Sequence, residues 1–316
     1  MQRLRDIRSV QQGYITAIEL REQISNNTMA LQNACGKRRK ELYDAYSLVL
    51  AGFNQVPIFT TPGDRDMFIE SLQEFILVQE QYLRSVNRLD DLQLRGDSIT
   101  AVCAKRLNDV GDAYRTLAAN ASFIPTFTTL AGADFFFNSL DDFEQIQQDF
   151  IRTIALRNAI ALKADSITSC KGAPRELVAF YKDLQARTLL TPTFNHHDKA
   201  LVYLQQLEVF INLQDHVLEG EMQAKAIEGN SMLIKSRSKN LQNIWKAYQS
   251  LLKAYEPAST VRTENDLTRY LSSQRALIDM QQVVYGIIDG PDREVVNIRL
   301  KGEKDLTMMK ATMGIK

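Results

Sequence analysis

The sequence predicts an all-α protein, built as a tandem array of about four helical units of about 67 residues each. Three observations carry that prediction. Leu, Gln, Ala, Glu and Arg are abundant while only 7 prolines and 14 glycines occur in 316 residues, a composition that suits helix. Apolar residues recur at three- and four-residue spacing, and almost no two-residue alternation precedes the last part of the chain. Third, "NQVPIFTTPG" (54–63), "SFIPTFTTLAG" (122–132) and "LLTPTFNHH" (189–197) write nearly the same loop three times.

Aligning those loops aligns the rest. Pro57, Pro125, Pro192 and Pro257 fall at a nearly constant interval, and Phe59, Phe127 and Phe194 follow the first three by two residues. Upstream, Tyr46, Tyr114, Tyr181 and Tyr248 keep the same phase, as do Cys35, Cys103 and Cys170, with Arg237 in the fourth place. Downstream, Gln11, Gln79, Gln147, Gln214 and Gln281 form a five-member column. Apolar columns accompany it: Ile7, Phe75, Phe143, Phe210 and Leu277 four residues before, and Tyr14, Tyr82, Phe150, Val217 and Val284 three residues after. These offsets define one helical stripe. Amphipathicity alone does not produce recurring Pro, Tyr and Gln.

Within a unit, the Pro-Phe loop comes first. A short acidic or amide residue then marks a helix start at Asp64, Asp134, Asp198 and Asn265–Asp266, where a side-chain oxygen would cap the free amides of the first turn. The helix runs through the glutamine column to a candidate break at "SNNTMA" (25–30), "RGDSIT" (95–100), "KADSIT" (163–168) and "EGNSML" (228–233). Fresh cap candidates stand there: Asn27–Thr28, Asp97–Ser98, Asp165–Ser166 and Asn230–Ser231. A sharp turn would give two antiparallel helices of about 25 residues. Unbroken apolar spacing from Phe68 through Cys103 to Leu117 favours instead one long or kinked helix of about 50 residues. The glutamines either fix register on a buried seam or sit at the edge of the stripe. The loop phenylalanines either plug the end of the helical layer or form an exposed docking ladder.

The predicted array covers 1–290: a half unit at 1–27 and units at about 28–95, 96–163, 164–229 and 230–290, followed by a tail at 291–316. It therefore opens and closes on half units, whose end faces either cap themselves or meet a neighbouring molecule. In the tail, "VVNIRLKG" (295–302) alternates like a short strand.

Lys+Arg and Asp+Glu are both 38, so charge provides no drive toward nucleic acid or anionic membrane, while zero net charge permits self-association. Three cysteines form neither a disulfide framework nor a metal cluster. The start "MQRLRDIRSVQQ" lacks the apolar core of a signal peptide, so a cytoplasmic protein is expected if Met1 is the native start. No phosphate loop, GxGxxG, HExxH or GxSxG occurs. His196, His197 and His216 lack companion ligands at metal spacing, and the pairs Asp90–Asp91 and Asp141–Asp142 read as solvated helix face. "GKRRK" (36–40) is the densest basic patch and reads as charged outer face. No catalytic, cofactor-binding or metal residue is assigned.

"AIELREQISNN…AGFNQVP" (17–57) resembles the helix-break-helix rhythm of bacterial outer-membrane efflux channel proteins, the TolC-like group. That family carries long membrane strands and a longer internal repeat, where this chain has short Pro-Phe loops. The expectation is a non-enzymatic structural or scaffold protein, with coiled-coil-like helices, that self-assembles or docks within a larger complex. A membrane-acting helical effector or toxin is the second expectation, and a channel-like helical tube the third.

Overall fold

The computed structural model describes residues 2–36, 38–53, 60–121, 123–169, 174–188, 190–255 and 261–290. Among them there are nine α-helices and no strand. Four are long: α1 (Gln2–Cys35), α3 (Pro62–Cys103), α5 (Leu130–Ser169) and α7 (His197–Arg237). Each is followed by a short one of 13 or 14 residues: α2 (Lys40–Phe53), α4 (Asn108–Asn120), α6 (Arg175–Arg187) and α8 (Gln242–Ala254). Helix α9 (Glu264–Asp289) comes last. Pro57, Phe59, Cys170, Pro257 and the whole tail 291–316, with its strand-like stretch, lie outside the described residues.

The long helices correct two expectations. Helices α3, α5 and α7 run 42, 40 and 41 residues straight through the candidate breaks. Asn27–Thr28, Asp97–Ser98, Asp165–Ser166 and Asn230–Ser231 are therefore mid-helix and cap nothing. The single helix of about 50 residues is not formed either, because α3 stops at Cys103 and reverses. Leu107 leaves helical geometry (φ −126°, ψ 47°) and stays buried, so the apolar face keeps its phase across the reversal. Gly111 lets α4 fold back closely: a Cβ there would meet the Cys103 Cβ at 2.9 Å.

The starts also differ from expectation. Thr61 caps α3, its hydroxyl accepting the Asp64 amide at 3.2 Å, with Pro62 in the first turn where a missing N–H costs nothing. Thr129 accepts the Gly132 amide at 3.2 Å. Thr263 caps α9 in a reciprocal box, its hydroxyl taking the Asp266 amide and the Asp266 carboxylate taking the Thr263 amide at 3.0 Å. Asp64, Asp198 and Asp266 thus sit in the first turn, where negative charge complements the amide end of the dipole, and Asp134 lies just beyond the first turn of α5.

The chain divides into two compact units: residues to Ile154 with Thr191–Tyr203, and Ala155–Leu190 with Leu204 onward. In the first, Ser9 and Ile24 on α1 meet Arg65 and Gln79 on α3, so these long helices lie parallel. Short helix α4 returns antiparallel to α3, as the approaches of Cys103 to Gly111 and Gly96 to Tyr114 require. The core gathers Leu31, Leu42, Tyr46, Phe75, Tyr82 and Leu140. In the second unit, Glu219 and Ile227 on α7 meet Arg275 and Gln281 on α9, again a parallel pair. Its core includes Ile234, Ile244, Tyr248, Leu277, Met280 and Val284.

Candidate functional site

The glutamine column supplies the most ordered polar chemistry in the molecule. Gln79, Gln147, Gln214 and Gln281 are buried within long helices, which calls for internal partners. Each finds the same two. The Gln79 amide donates to the Tyr46 hydroxyl at 2.6 Å and to the Ile24 carbonyl at 3.0 Å. Gln147 donates to Tyr114 at 2.7 Å and the Leu92 carbonyl at 2.8 Å. Gln214 donates to Tyr181 at 2.9 Å and the Ile160 carbonyl at 3.0 Å. Gln281 donates to Tyr248 at 2.8 Å and the Ile227 carbonyl at 2.9 Å. Every glutamine follows its tyrosine by 33 residues. Each amide therefore ties three segments: its own helix, the preceding long helix and the intervening short one. Gln11, the fifth member, is exposed on α1.

Two ties have a second layer. Thr28 donates its hydroxyl proton to the Ile24 carbonyl at 2.8 Å, which leaves Tyr46 as the donor in its 2.6 Å bond to Thr28. Asn27 donates to the Gln79 carbonyl oxygen at 3.3 Å. Around Gln281, Ser231 and Asn230 play the same parts, at 2.6 Å to Tyr248 and 3.1 Å to Gln281. These residues were legible only as cap candidates; the signal that identifies them is an Asn-hydroxyl pair 51 or 52 residues before a column glutamine. At Gln147 and Gln214 the corresponding residues are Arg95–Gly96 and Lys163–Ala164, and the buried Oε1 of both glutamines has no hydrogen-bond partner.

Burial pushes the phenols of Tyr46, Tyr114 and Tyr181 above their ordinary value, against the lowering effect of the hydrogen bonds they receive. They keep their protons at neutral pH and act as fixed struts, not as acid–base groups. Tyr82 is pushed up to about 12 by burial. Its hydroxyl is shared between the carbonyls of Phe127 (3.1 Å) and Pro125 (3.3 Å), and its ring lies 4.5 Å from that of Phe127. Phe194 packs 4.8 Å from Phe150. Pro125, Phe127, Pro192 and Phe194 are all buried, so the described loop phenylalanines plug the layer and form no exposed ladder.

Buried Asp149 meets His197 Nδ1 at 2.8 Å within the first unit. In the same unit a crevice of about 560 Å³ is bounded by Arg39, Leu92, Gly96, Tyr114, Phe123 and Phe143. Both arginines that line it are engaged by neighbours, Arg39 by Asp90 and Arg115 by Asp112. Cys35 and Cys103 are buried, and burial raises both thiols, which lowers their reactivity. Among the described residues no group of three or more His, Cys, Asp or Glu is placed to hold a metal ion, and no helix is long and apolar enough to cross a membrane. The chain matches no protein-family model, no curated protein and no solved structure.

Proposed function

We propose that this chain is a non-enzymatic scaffold: a tandem array of about four helical units of about 67 residues that assembles with itself or docks within a larger complex. The observation that carries the reading is the fourfold Tyr–Gln tie, with one spacing and one set of acceptors. Tyr46, Tyr114, Tyr181 and Tyr248, with Gln79, Gln147, Gln214 and Gln281, spend their polar groups on holding each long helix to the helices before it. Tyr114 also borders the crevice, but its hydroxyl is taken up by the Gln147 amide, whereas polar residues of a catalytic pocket would converge on substrate. Side chains spent on neighbour-to-neighbour ties build a frame, which suits a protein that binds other proteins. Pro125, Pro192, Phe127 and Phe194 belong to the same design as end plugs.

The test is the size of the native particle. Gentle crosslinking in the cells that make the protein, followed by sedimentation, is expected to place it in a particle heavier than one chain. Recovery of a single uncomplexed chain would overturn the scaffold reading.

A further inference from the structure

We propose that the exposed stripe of α1 formed by Leu4, Ile7, Gln11, Ile15 and Ile18 is the face through which two copies of this chain pair, α1 against α1 in antiparallel orientation. The proposal rests on the scaffold reading and names its first partner.

The stripe has the composition of an interior and the exposure of a surface. Leu4, Ile7, Ile15 and Ile18 are 73%, 56%, 50% and 60% exposed. At 3.6 residues per turn the five residues occupy an arc of roughly 80°. The opposite face of α1 is already used: Gly13 and Ala17 are buried, and Arg65 of α3 bonds Ser9. One column interval further on, the matching residues of α3 lie inside. Leu72, Phe75, Gln79 and Val86 are buried, and Leu83 is half-buried. A helix apolar on two faces is stable when both are covered.

Among the described residues the tyrosines that cover the other column helices are taken, because Tyr46, Tyr114, Tyr181 and Tyr248 each hold their own glutamine. The stripe itself is self-complementary. Leu4 and Ile7 stand seven and four residues before Gln11; Ile15 and Ile18 stand four and seven after it. Antiparallel pairing about Gln11 sets Leu4 on Ile18, Ile7 on Ile15 and Gln11 on Gln11, whose primary amides satisfy each other's donors and acceptors. A single polar layer of this kind fixes register. Charge selects the orientation. Beside the stripe, the exposed Arg8 leaves the first half positive, and the exposed Glu19, Arg21 and Glu22 leave the second half net negative. Antiparallel pairing brings unlike halves together, and a two-fold axis makes the contact closed and isologous.

The full chain is expected to sediment as a dimer. Ile7→Glu with Ile18→Glu should weaken the dimer by roughly a hundredfold or more, with helical circular dichroism unchanged because both residues are exposed. In a Cys170→Ser background, Gln11→Cys should form a disulfide-linked dimer. Leu4→Cys should crosslink with Ile18→Cys but not with itself. A monomer at every concentration, a dimer indifferent to the two Glu substitutions, or self-crosslinking of Leu4→Cys each overturns the proposal. A monomeric purified chain found in a large native particle removes this face and leaves the scaffold reading; a single chain in the native extract removes both.

Discussion

Gln79 and Gln147 lie in the first unit, in the same position on successive long helices, and each makes the same two donor bonds. Their oxygens fare differently. Around Gln79, Asn27 supplies a donor and Thr28 relays the Tyr46 proton to the main chain. Around Gln147, Arg95 instead reaches outward to Glu144 at 2.6 Å, and Gly96 leaves no side chain to relay anything. In the second unit the contrast recurs: Gln281 is served by Asn230 and Ser231, while before Gln214 Lys163 turns to Asp215 at 2.6 Å. One helical position thus serves either the interior or the rim. An amide there satisfies a buried oxygen, whose desolvation otherwise costs about 1–3 kcal/mol. A long cation there gains an outer ion pair worth about 0.2–1 kcal/mol. Arg95 and then Arg88 hold the Glu144 carboxyl below its usual range, so that rim pair is firm.

The contrast is broken most severely by filling Gly96. A Cβ there collides with the Tyr114 hydroxyl. Gly96→Thr, which imitates Thr28, is expected to destabilise by about 3 kcal/mol in urea unfolding. Tyr114→Phe in the same chain should recover part of that loss, since it removes the colliding oxygen. Next come the glutamines themselves. Gln79→Leu strands the Asn27 amide and removes one bond each from Tyr46 and the Ile24 carbonyl, which keep Thr28, and should cost about 2–3 kcal/mol. Gln147→Leu also removes an unpaired oxygen and should cost about 1 kcal/mol. Equal losses in the two variants would show that the second layer contributes nothing.

A third measurement separates the tie tyrosines from Tyr82. A phenol whose value is raised by folding contributes stability that is complete below the unfolded value of about 10 and is lost as pH rises through the folded value. Stability should therefore fall above pH of about 10, and Tyr82, pushed up to about 12, should account for about 2 kcal/mol of the fall. Tyr82→Phe should remove that share and leave the shares due to Tyr46, Tyr114, Tyr181, Tyr255 and Tyr270, all raised by burial. The smallest effect is constructive. Arg95→Asn gives Gln147 the donor that Asn27 gives Gln79, at the expense of the Glu144 pair. A net gain below about 1 kcal/mol is expected, read as a small rise in the urea midpoint.

Helical content and the stripe residues were legible because burial forces three- and four-residue spacing. The reversal after Cys103 was not, because Cys103 and Val110 both face the core and the spacing crosses the turn without losing phase. Helix starts were misplaced by a few residues because Thr61 and Thr263 cap while the more conspicuous Asp64 and Asp266 supply charge inside the first turn. Tyrosine and glutamine were visible as separate columns; their bond was not, since a 33-residue interval has meaning only once the short helix turns back. Asn27 and Asn230 looked like helix caps because a short amide signals a helix terminus more often than a buried donor.

Parallel neighbours cannot be joined by a tight turn, so the contacts that bind α1 to α3 and α7 to α9 join residues 50 to 56 positions apart. Most helical proteins acquire their first contacts locally and fold fast; this one must search over long loops before any two long helices meet. Docking of one long helix on the next is therefore expected to lag behind the local return of each short helix on the long one before it.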